Sequence, residues 1–325
     1  MSLHGYAQFV LKPLSLFNKL IGAPLYITDC VLYKFYCCFL IVNHFISIFI
    51  VLGNMWFWCI MSLPLSTKLI QCIHYIVKVS IITVTILNCM VVKKKSVLTL
   101  IPTLKAVETL LPGNQGKWKI LIRYDVTLIF LVCGSCFMYH AVQFRHSCQF
   151  SVFILNDIEE FQLLIVVLTS LKFLALLSKY FDLTNQYLEA QLETWTDLNK
   201  TEMVIINKLY RKLYYTLALW NDVHGVQLLQ FFLQNLIVLV DNIILSLYLS
   251  NMGHKVAAKR KKASKIIMNG LIKIISVGEY RLVQEDLNLL MTKLNTWPNF
   301  VSAADYFGVD YSFFLSSLAA VASYI

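Results

Sequence analysis

The chain has 325 residues, of which 58% are hydrophobic and only 14% are charged. A soluble globular domain carries about 25% charged residues, so the composition excludes that class and favours a membrane protein. Residues 35–67 contain no Asp, Glu, Lys or Arg and exceed the roughly 20 apolar residues that cross a bilayer as a helix. A β-barrel would instead show short segments of alternating hydrophobicity. The predicted fold class is all-α: a polytopic membrane protein with about seven transmembrane helices and long cytosolic helix extensions.

The net charge of +10 does not indicate nucleic-acid binding, because the Lys and Arg residues lie between the hydrophobic runs, as in cytosolic loops. All nine cysteines precede residue 149, and most lie within apolar runs, where buried thiols are favoured over disulfides. Cys133 and Cys136 form a C-x-x-C without a second pair, and the seven histidines show no ligand spacing. We therefore predict neither a metal site nor a cofactor.

The first half of the chain predicts a cytosolic lead, four spans and one basic loop. Residues 1–34 form the lead, and the apolar run that follows is too long for a cleavable signal peptide, so it reads as a signal anchor. Residues 93–125 carry seven Lys or Arg against two acids, which predicts a cytosolic loop. The acidic link that holds Asp157, Glu159 and Glu160 is predicted to lie outside. The four spans are predicted at about Phe35–Leu52, Leu69–Val92, Val126–Phe144 and Phe161–Phe181.

Residues 182–225 remain helical in pattern, since no Pro or Gly occurs between 182 and 224 and apolar residues recur at spacings of four and three. This predicts helices that extend into the cytosol and pack there as a bundle. A fifth span is predicted at about Val226–Leu249.

The sixth element is anomalous. The apolar run Ile266–Gly278 would extend only about 20 Å, against a hydrocarbon core of about 30 Å. The six basic residues from Lys255 to Lys265 would lie outside by the count of spans, against the positive-inside tendency. A re-entrant sixth span and a variant that lost part of this span both stay open.

Residues 279–298 predict a cytosolic amphipathic anchor helix, which Pro298 ends. Its apolar stripe is predicted to join subunits, in preference to forming an intrachain core, and comprises Val283, Leu287, Leu290, Leu294 and Trp297. Residues 299–325 then predict a last membrane helix with a single charge, Asp310, in the run Val309–Ile325. At about 25 Å this run is also short, so the last helix is predicted to be truncated.

The stretch Asn299–Ile325 resembles the end of the insect gustatory receptors, members of the insect chemoreceptor superfamily that also includes the odorant receptors. That family ends in an Ala- and Gly-rich F-x-h-D turn, then a span closing on T/S-Y, five apolar residues and Q-F. The positions that match are Ala303, Ala304, Phe307, Val309, Asp310, Ser323 and Tyr324. Asp305 replaces the usual glycine, Tyr306 stands where Phe is frequent, and the apolar tail and the Q-F do not occur.

The resemblance implies a ligand-gated, non-selective cation channel in the plasma membrane, with a cytosolic N-terminus. Four subunits would assemble, either identical or mixed with other gustatory receptor subunits, and would conduct monovalent and divalent cations. The last helix would line the pore, with the candidates Ser316, Ala320, Ser323 and Tyr324, for which close helix packing is the alternative.

The resemblance also implies that a small-molecule tastant binds among the helices and towards the outer face. Polar and aromatic side chains in the outer halves of the spans are therefore candidate contacts. Asp241 is the first candidate, because an acid inside the membrane is costly and must face a cavity or a partner. The other candidates, for which packing is the alternative, are Asn242, Tyr139, His140, His74, Tyr75 and Gln162.

Two other functions stay open. A G-protein-coupled receptor also has seven helices, but the chain shows neither Asp/Glu-Arg-Tyr at the end of the third span nor N-P-x-x-Y near its end. A non-functional or truncated receptor variant would fit the short sixth and last elements. No catalytic constellation is evident, so we do not predict an enzyme.

Overall fold

The computed structural model describes most of the chain. It covers residues 15–22, 31–57, 65–111, 150–193, 200–237, 243–277 and 281–296, together with the positions 11, 134, 138, 302–303, 307–308, 312, 315–316 and 319.

Long helices make up almost all of the described structure. We number them α1 to α7: Val31–Phe57, Leu65–Leu87, Lys94–Leu110, Phe150–Glu193, Lys200–Ile237, Ile243–Val277 and Arg281–Thr296. A π-helical turn, Asn88–Val92, extends α2. Two short strands, β1 (Ser302–Ala303) and β2 (Phe307–Gly308), pair antiparallel, with Ser302 opposite Gly308 and Ala303 opposite Phe307.

Three stretches of the described helices are long and apolar enough to cross a membrane: Val31–Gly53, Tyr75–Val92 and Phe161–Glu193. They overlap the predicted first, second and fourth spans. Helix α1 leaves large apolar side chains exposed, among them Leu32 and Phe49 at more than three quarters of their surface, as a helix facing lipid would. The predicted third span lies almost entirely outside the described residues.

Helices α4, α5 and α6 form the centre of the molecule. Helix α5 packs antiparallel to α4, since Phe173 stacks on Trp220 at 6.4 Å and Phe181 meets Tyr214 edge-on at 5.3 Å between ring centroids. Helix α6 runs parallel to α4, because Lys259 Nζ lies 2.6 Å from Asp182 Oδ1 and Lys262 Nζ lies 3.2 Å from Glu189 Oε2. Helices α3 and α7 complete a continuous apolar core around these three.

One ion pair relates the level of Lys93 to that of α4. Asp222 of α5 accepts hydrogen bonds from Lys93 at 2.5 Å and from Ser96 at 2.6 Å. It lies two residues beyond Trp220, which stacks on Phe173, so Lys93 and Phe173 lie at similar depth. Lys93 begins the triple-lysine run from which the sequence predicts the cytosolic side. Helix α4 beyond Phe173 therefore extends on the same side as Lys93.

The predicted fourth span, Phe161–Phe181, lies within the longer apolar stretch Phe161–Glu193 of α4. The apolar residues from Phe173 to Phe181 are buried against α5 and do not face lipid: Phe173 and Phe181 expose at most 2% of their surface. Hydropathy cannot separate the two environments, because a helix buried in a protein core and a helix in a bilayer are both apolar.

The predicted fifth and sixth spans also need correction. Val226–Leu249 is not one straight helix, because the described part of α5 runs antiparallel to α4 whereas α6 runs parallel to it. Helix α6 then continues without a break through the basic residues and most of the run Ile266–Gly278. Because Lys259 binds Asp182, the basic residues lie on the same side as Lys93, and the conflict with the positive-inside tendency disappears.

The N-terminal lead is attached to the inner ends of α1 and α2. A helical segment, residues 15–20, ends at Gly22, whose φ of +78° is unfavourable for any residue with a Cβ. A Cβ on Gly22 would also lie 3.1 Å from side-chain atoms of Ile86 and Leu40. Tyr33 donates to the Lys19 carbonyl at 3.1 Å, which fixes the segment against α1.

Candidate functional site

A buried polar cluster links the three membrane helices α1, α2 and α4. The Tyr75 hydroxyl donates to Glu159 Oε1 at 2.6 Å. The Ser47 hydroxyl lies 2.8 Å from the same carboxylate oxygen and 3.2 Å from the Tyr75 hydroxyl. Ser47 is also 2.8 Å from the His44 carbonyl, and its single hydrogen serves one of these acceptors at a time.

The cluster is enclosed by apolar helices. Ser47, Tyr75 and Glu159 each expose 2% of their surface, and His44 exposes 3%. A carboxylate in this environment is expensive unless hydrogen bonds compensate it, and intramembrane acids are usually functional for that reason. Tyr75 and Ser47 supply that compensation from two different helices.

Two buried polar atoms on α1 and α4 have no hydrogen-bond partner among the described residues. They are Gln162 Oε1 and His44 Nε2, on side chains that expose 6% and 3% of their surface. Gln162 follows Glu159 by three residues and so shares its face of α4. Buried polar atoms are almost always satisfied, so a ligand or water is the expected partner.

Lys78 brings a positive charge to the same region. It lies one turn beyond Tyr75 on α2 and is fully buried, with Nζ 5.7 Å from the centroid of the Tyr75 ring. This geometry permits a cation–π interaction. The cluster thus combines a carboxylate, an ammonium group, hydroxyls and unpaired acceptor atoms.

Of the seven predicted ligand residues, the structure describes the side chains of two, Tyr75 on α2 and Gln162 on α4, and both are buried. His74 belongs to α2, but its side chain lies outside the described residues, as do Tyr139, His140, Asp241 and Asn242. Sequence reasoning missed His44, Ser47 and Glu159, because Glu159 was assigned to an external link. Its spacing of three from Gln162 was the available signal.

The predicted subunit stripe is a core within one chain. Leu287, Leu290 and Leu294 have no exposed surface and belong to the core where α7 packs on α5 and α6. They present no surface to another subunit, which corrects the prediction at these positions. The side chains of Val283 and Trp297 lie outside the described residues. The exposed face of α7 instead carries Glu285, Asn288 and Leu289.

The predicted pore residues are described only in part. Ser316 is helical and exposed, and Ser312, Leu315 and Ala319 share these properties at spacings that belong to one helix face. Ala320, Ser323 and Tyr324 lie outside the described residues. Among the described side chains, no three His, Cys, Asp or Glu residues are grouped as a metal site would need.

The junction between α2, α3 and α5 is held by charge. Burial by itself would raise the pKa of Asp222, but the hydrogen bonds from Lys93 and Ser96 outweigh it and hold the pKa below its usual value. The carboxylate is therefore ionised at neutral pH and ties α5 to the end of the second membrane helix.

The sequence matches no protein-family model and no curated protein sequence. Its fold does match solved structures. The insect olfactory receptor OR5 from Machilis hrabei aligns over 98% of this chain and 97% of the receptor, with a TM-score of 0.71 and 12% sequence identity. The chain has the fold of an insect olfactory receptor.

The same olfactory receptor in complex with eugenol aligns over 98% of this chain and 96% of the receptor, with a TM-score of 0.62 and 13% identity. At such low identity, the likeness establishes the olfactory receptor fold and leaves activity to be argued from the residues. It confirms the predicted all-α membrane class.

Proposed function

We propose that this chain is a gustatory receptor, a subunit of a ligand-gated cation channel that responds to a small-molecule tastant in the plasma membrane. The observation that carries the proposal is the insect olfactory receptor fold over 98% of the chain. One matching receptor structure contains a small organic molecule, eugenol, which supports a ligand of similar size here. The gustatory role rests on the resemblance of Asn299–Ile325 to the family's terminal stretch.

The tastant would bind at the polar cluster of α1, α2 and α4. Gln162 Oε1 and His44 Nε2 offer hydrogen bonds that no described residue uses. Glu159 would be a further contact, because its hydroxyl partners can exchange for groups of a ligand. The predicted contacts His74, Tyr139, His140, Asp241 and Asn242 stay candidates from the sequence.

Helix α4 would carry the signal from this site. It is a single helix of 44 residues, or about 66 Å, and it holds both Glu159 and the cytosolic contacts Asp182 and Glu189. A ligand that binds more tightly when α4 is in one position than in another increases the fraction of molecules that have α4 in the first position. The cytosolic bundle would then transmit the shift to the last helix, where Ser316, Ala320, Ser323 and Tyr324 would line the path for monovalent and divalent cations.

Four copies, identical or mixed with other gustatory receptor subunits, would assemble around that path. The buried leucines of α7 cannot form the contact, so we assign it to apolar side chains exposed on the hairpin of α6 and α7. Met268 and Leu289 each expose 48% of their surface, and Ile272 exposes 59%. Exposed apolar groups on a cytosolic helix pair are typical of an interface.

The test is a ligand panel on cells that express the chain, read by calcium imaging and by whole-cell current. For an active ligand, Glu159→Gln and Tyr75→Phe should raise the half-maximal concentration by roughly tenfold or more, the effect of losing a hydrogen bond to a charged group. Ser80→Ala is the matched control, since its hydroxyl bonds to the Val77 carbonyl of its own helix. Equal shifts in all three variants would refute the assignment of this site.

The topology separates this proposal from a G-protein-coupled receptor. An N-terminal epitope should be stained only in permeabilised cells, because the lead and the basic loop lie on the cytosolic side. Staining of intact cells would rule out the channel orientation. Ligand-evoked current that persists when G-protein signalling is blocked is the corresponding functional result.

A further inference from the structure

Helix α7 ends with a carbonyl that its own helix cannot satisfy. In an α-helix the carbonyl of residue 294 accepts from the N–H of residue 298. Residue 298 is proline, which has no N–H, so the Leu294 carbonyl lacks its ordinary donor. The position matters, because the terminal segment follows Pro298 directly.

A side chain from another helix supplies the missing donor. Arg260 of α6 donates through Nη2 to the Leu294 carbonyl. Its guanidinium also lies over the ring of Tyr214 on α5, with Cζ 5.9 Å from the centroid. Arg260 thus joins three helices at the end of α7, and a cation is favourable there because helix C-termini carry partial negative charge.

Arg260 differs from the basic residues around it. Lys261 and Lys265 point to solvent, and Lys259 pairs with Asp182, whereas Arg260 is half-buried. Its Nε has no hydrogen-bond partner among the described residues, and Tyr214 beneath it exposes 2% of its surface. Partial burial of a cation costs free energy, and among the described residues no acid lies opposite Arg260 to offset that cost. The Leu294 carbonyl and the Tyr214 ring provide the compensating contacts.

We propose that Arg260 is a positioning residue that replaces the absent N–H of Pro298 and couples α6 to the start of the terminal segment. Because the donor that caps α7 belongs to α6, a displacement of α6 would also displace the C-terminal end of α7. If the Leu294 carbonyl had a donor within its own helix, the end of α7 would not depend on the position of α6. The gating consequence rests on the proposed function, whereas the cap itself does not.

The cap is tested by amide hydrogen exchange on the full-length protein. Arg260→Met should speed exchange in residues 291–296 by roughly tenfold or more, the effect of losing a charge-assisted hydrogen bond. Lys261→Met removes the same charge from an exposed neighbour and should leave exchange unchanged. Arg260→Lys keeps the charge but lacks the planar guanidinium, so its exchange rate should lie between those of the other two variants.

A double substitution makes the test specific. In an α-helix the donor to the carbonyl of residue 294 is the N–H of residue 298, and Pro298→Ala supplies the N–H that proline lacks. Arg260→Met should therefore have little effect in that background, less than roughly threefold. An undiminished effect of Arg260→Met in the Pro298→Ala background would overturn the proposal, as would unchanged exchange in Arg260→Met alone. Loss of folding in Arg260→Met that Pro298→Ala reverses would support it.

Current measurements separate the cap from the proposed function. Arg260 lies at the depth of Asp182, 23 residues or about 35 Å along α4 from Glu159. Arg260→Met should therefore lower the maximal ligand-evoked current several-fold while the half-maximal concentration and the surface amount stay near their original values. Faster exchange together with no current from any variant, including the unmodified chain, would support the cap and contradict the channel.

Discussion

At the scale of the residue, Asp222 shows how one carboxylate can fix the junction between membrane and cytosol. It is 39% exposed and its partner Lys93 is 34% exposed, so solvent screens the pair strongly. The ion pair is nevertheless reinforced by Ser96, which binds the second carboxylate oxygen. Its contribution to stability should be about 0.5–1 kcal/mol and should weaken at high salt.

Asp222→Asn tests this contribution through its pH dependence. The pKa of Asp222 is held below its usual value, so the folded state favours the ionised form. The stabilisation is complete above the unfolded pKa of about 3.9 and is lost as the pH falls through the lower folded pKa. We expect the melting temperature of the variant to lie below that of the original chain by the same amount at pH 7 and pH 5, and the difference to shrink below about pH 4.

The matched control is Asp286→Asn on α7, where no ion pair is described. Its melting temperature should follow that of the original chain throughout. A deficit of Asp222→Asn that persists in strong acid would mean that the carboxylate acts through packing and not through its charge.

At the scale of the element, α7 shows what periodicity reveals and what it leaves undetermined. The spacing of Leu287, Leu290 and Leu294 predicts the helix and the face that is buried. The same spacing is compatible with an intrachain core and with a contact between subunits, because each requires only one apolar face of the helix. The choice depends on α5 and α6 converging on that face, which no local pattern encodes.

Two adjacent leucines of α7 separate the buried face from the exposed one. Leu290 has no exposed surface, so Leu290→Ala should lower the free energy of unfolding by about 2–5 kcal/mol. Leu289 is 48% exposed, and Leu289→Ala should change the free energy of unfolding by less than about 0.5 kcal/mol. Thermal denaturation of the purified protein measures both.

The same position tests assembly. Leu289→Asp should lower the fraction of tetramer in size-exclusion chromatography with light scattering, while a monomer with an unchanged melting temperature remains. Val204→Asp, on α5 and 56% exposed, is the control outside the hairpin of α6 and α7. If both aspartates disrupt assembly equally, the contact does not lie on that hairpin.

At the scale of the whole molecule, the composition predicted the all-α membrane class correctly. The spans predicted from hydropathy were wrong where the chain reverses direction between α5 and α6. Val226–Leu249 contains no Pro or Gly, so nothing in its hydropathy marks the change from α5 to α6. Asp241 and Asn242 are residue types that favour turns, and they lie between the end of α5 and the start of α6. The prediction that they contact the ligand stays a prediction, because an acid in an apolar run also indicates a site.

Correcting that one break fixes the sidedness of everything after it. Helix α6 runs parallel to α4, and the pairs of Lys259 with Asp182 and Lys262 with Glu189 lie progressively further from Phe173. An epitope inserted at residues 278–280, between α6 and α7, should therefore be stained only after permeabilisation, like an N-terminal epitope. An epitope at residues 58–64, between α1 and α2, should be stained on intact cells and shows that the protein reaches the surface. Staining of the 278–280 epitope on intact cells would mean that α6 crosses the membrane outward, and the bundle of α4, α5 and α6 could not then lie on one side.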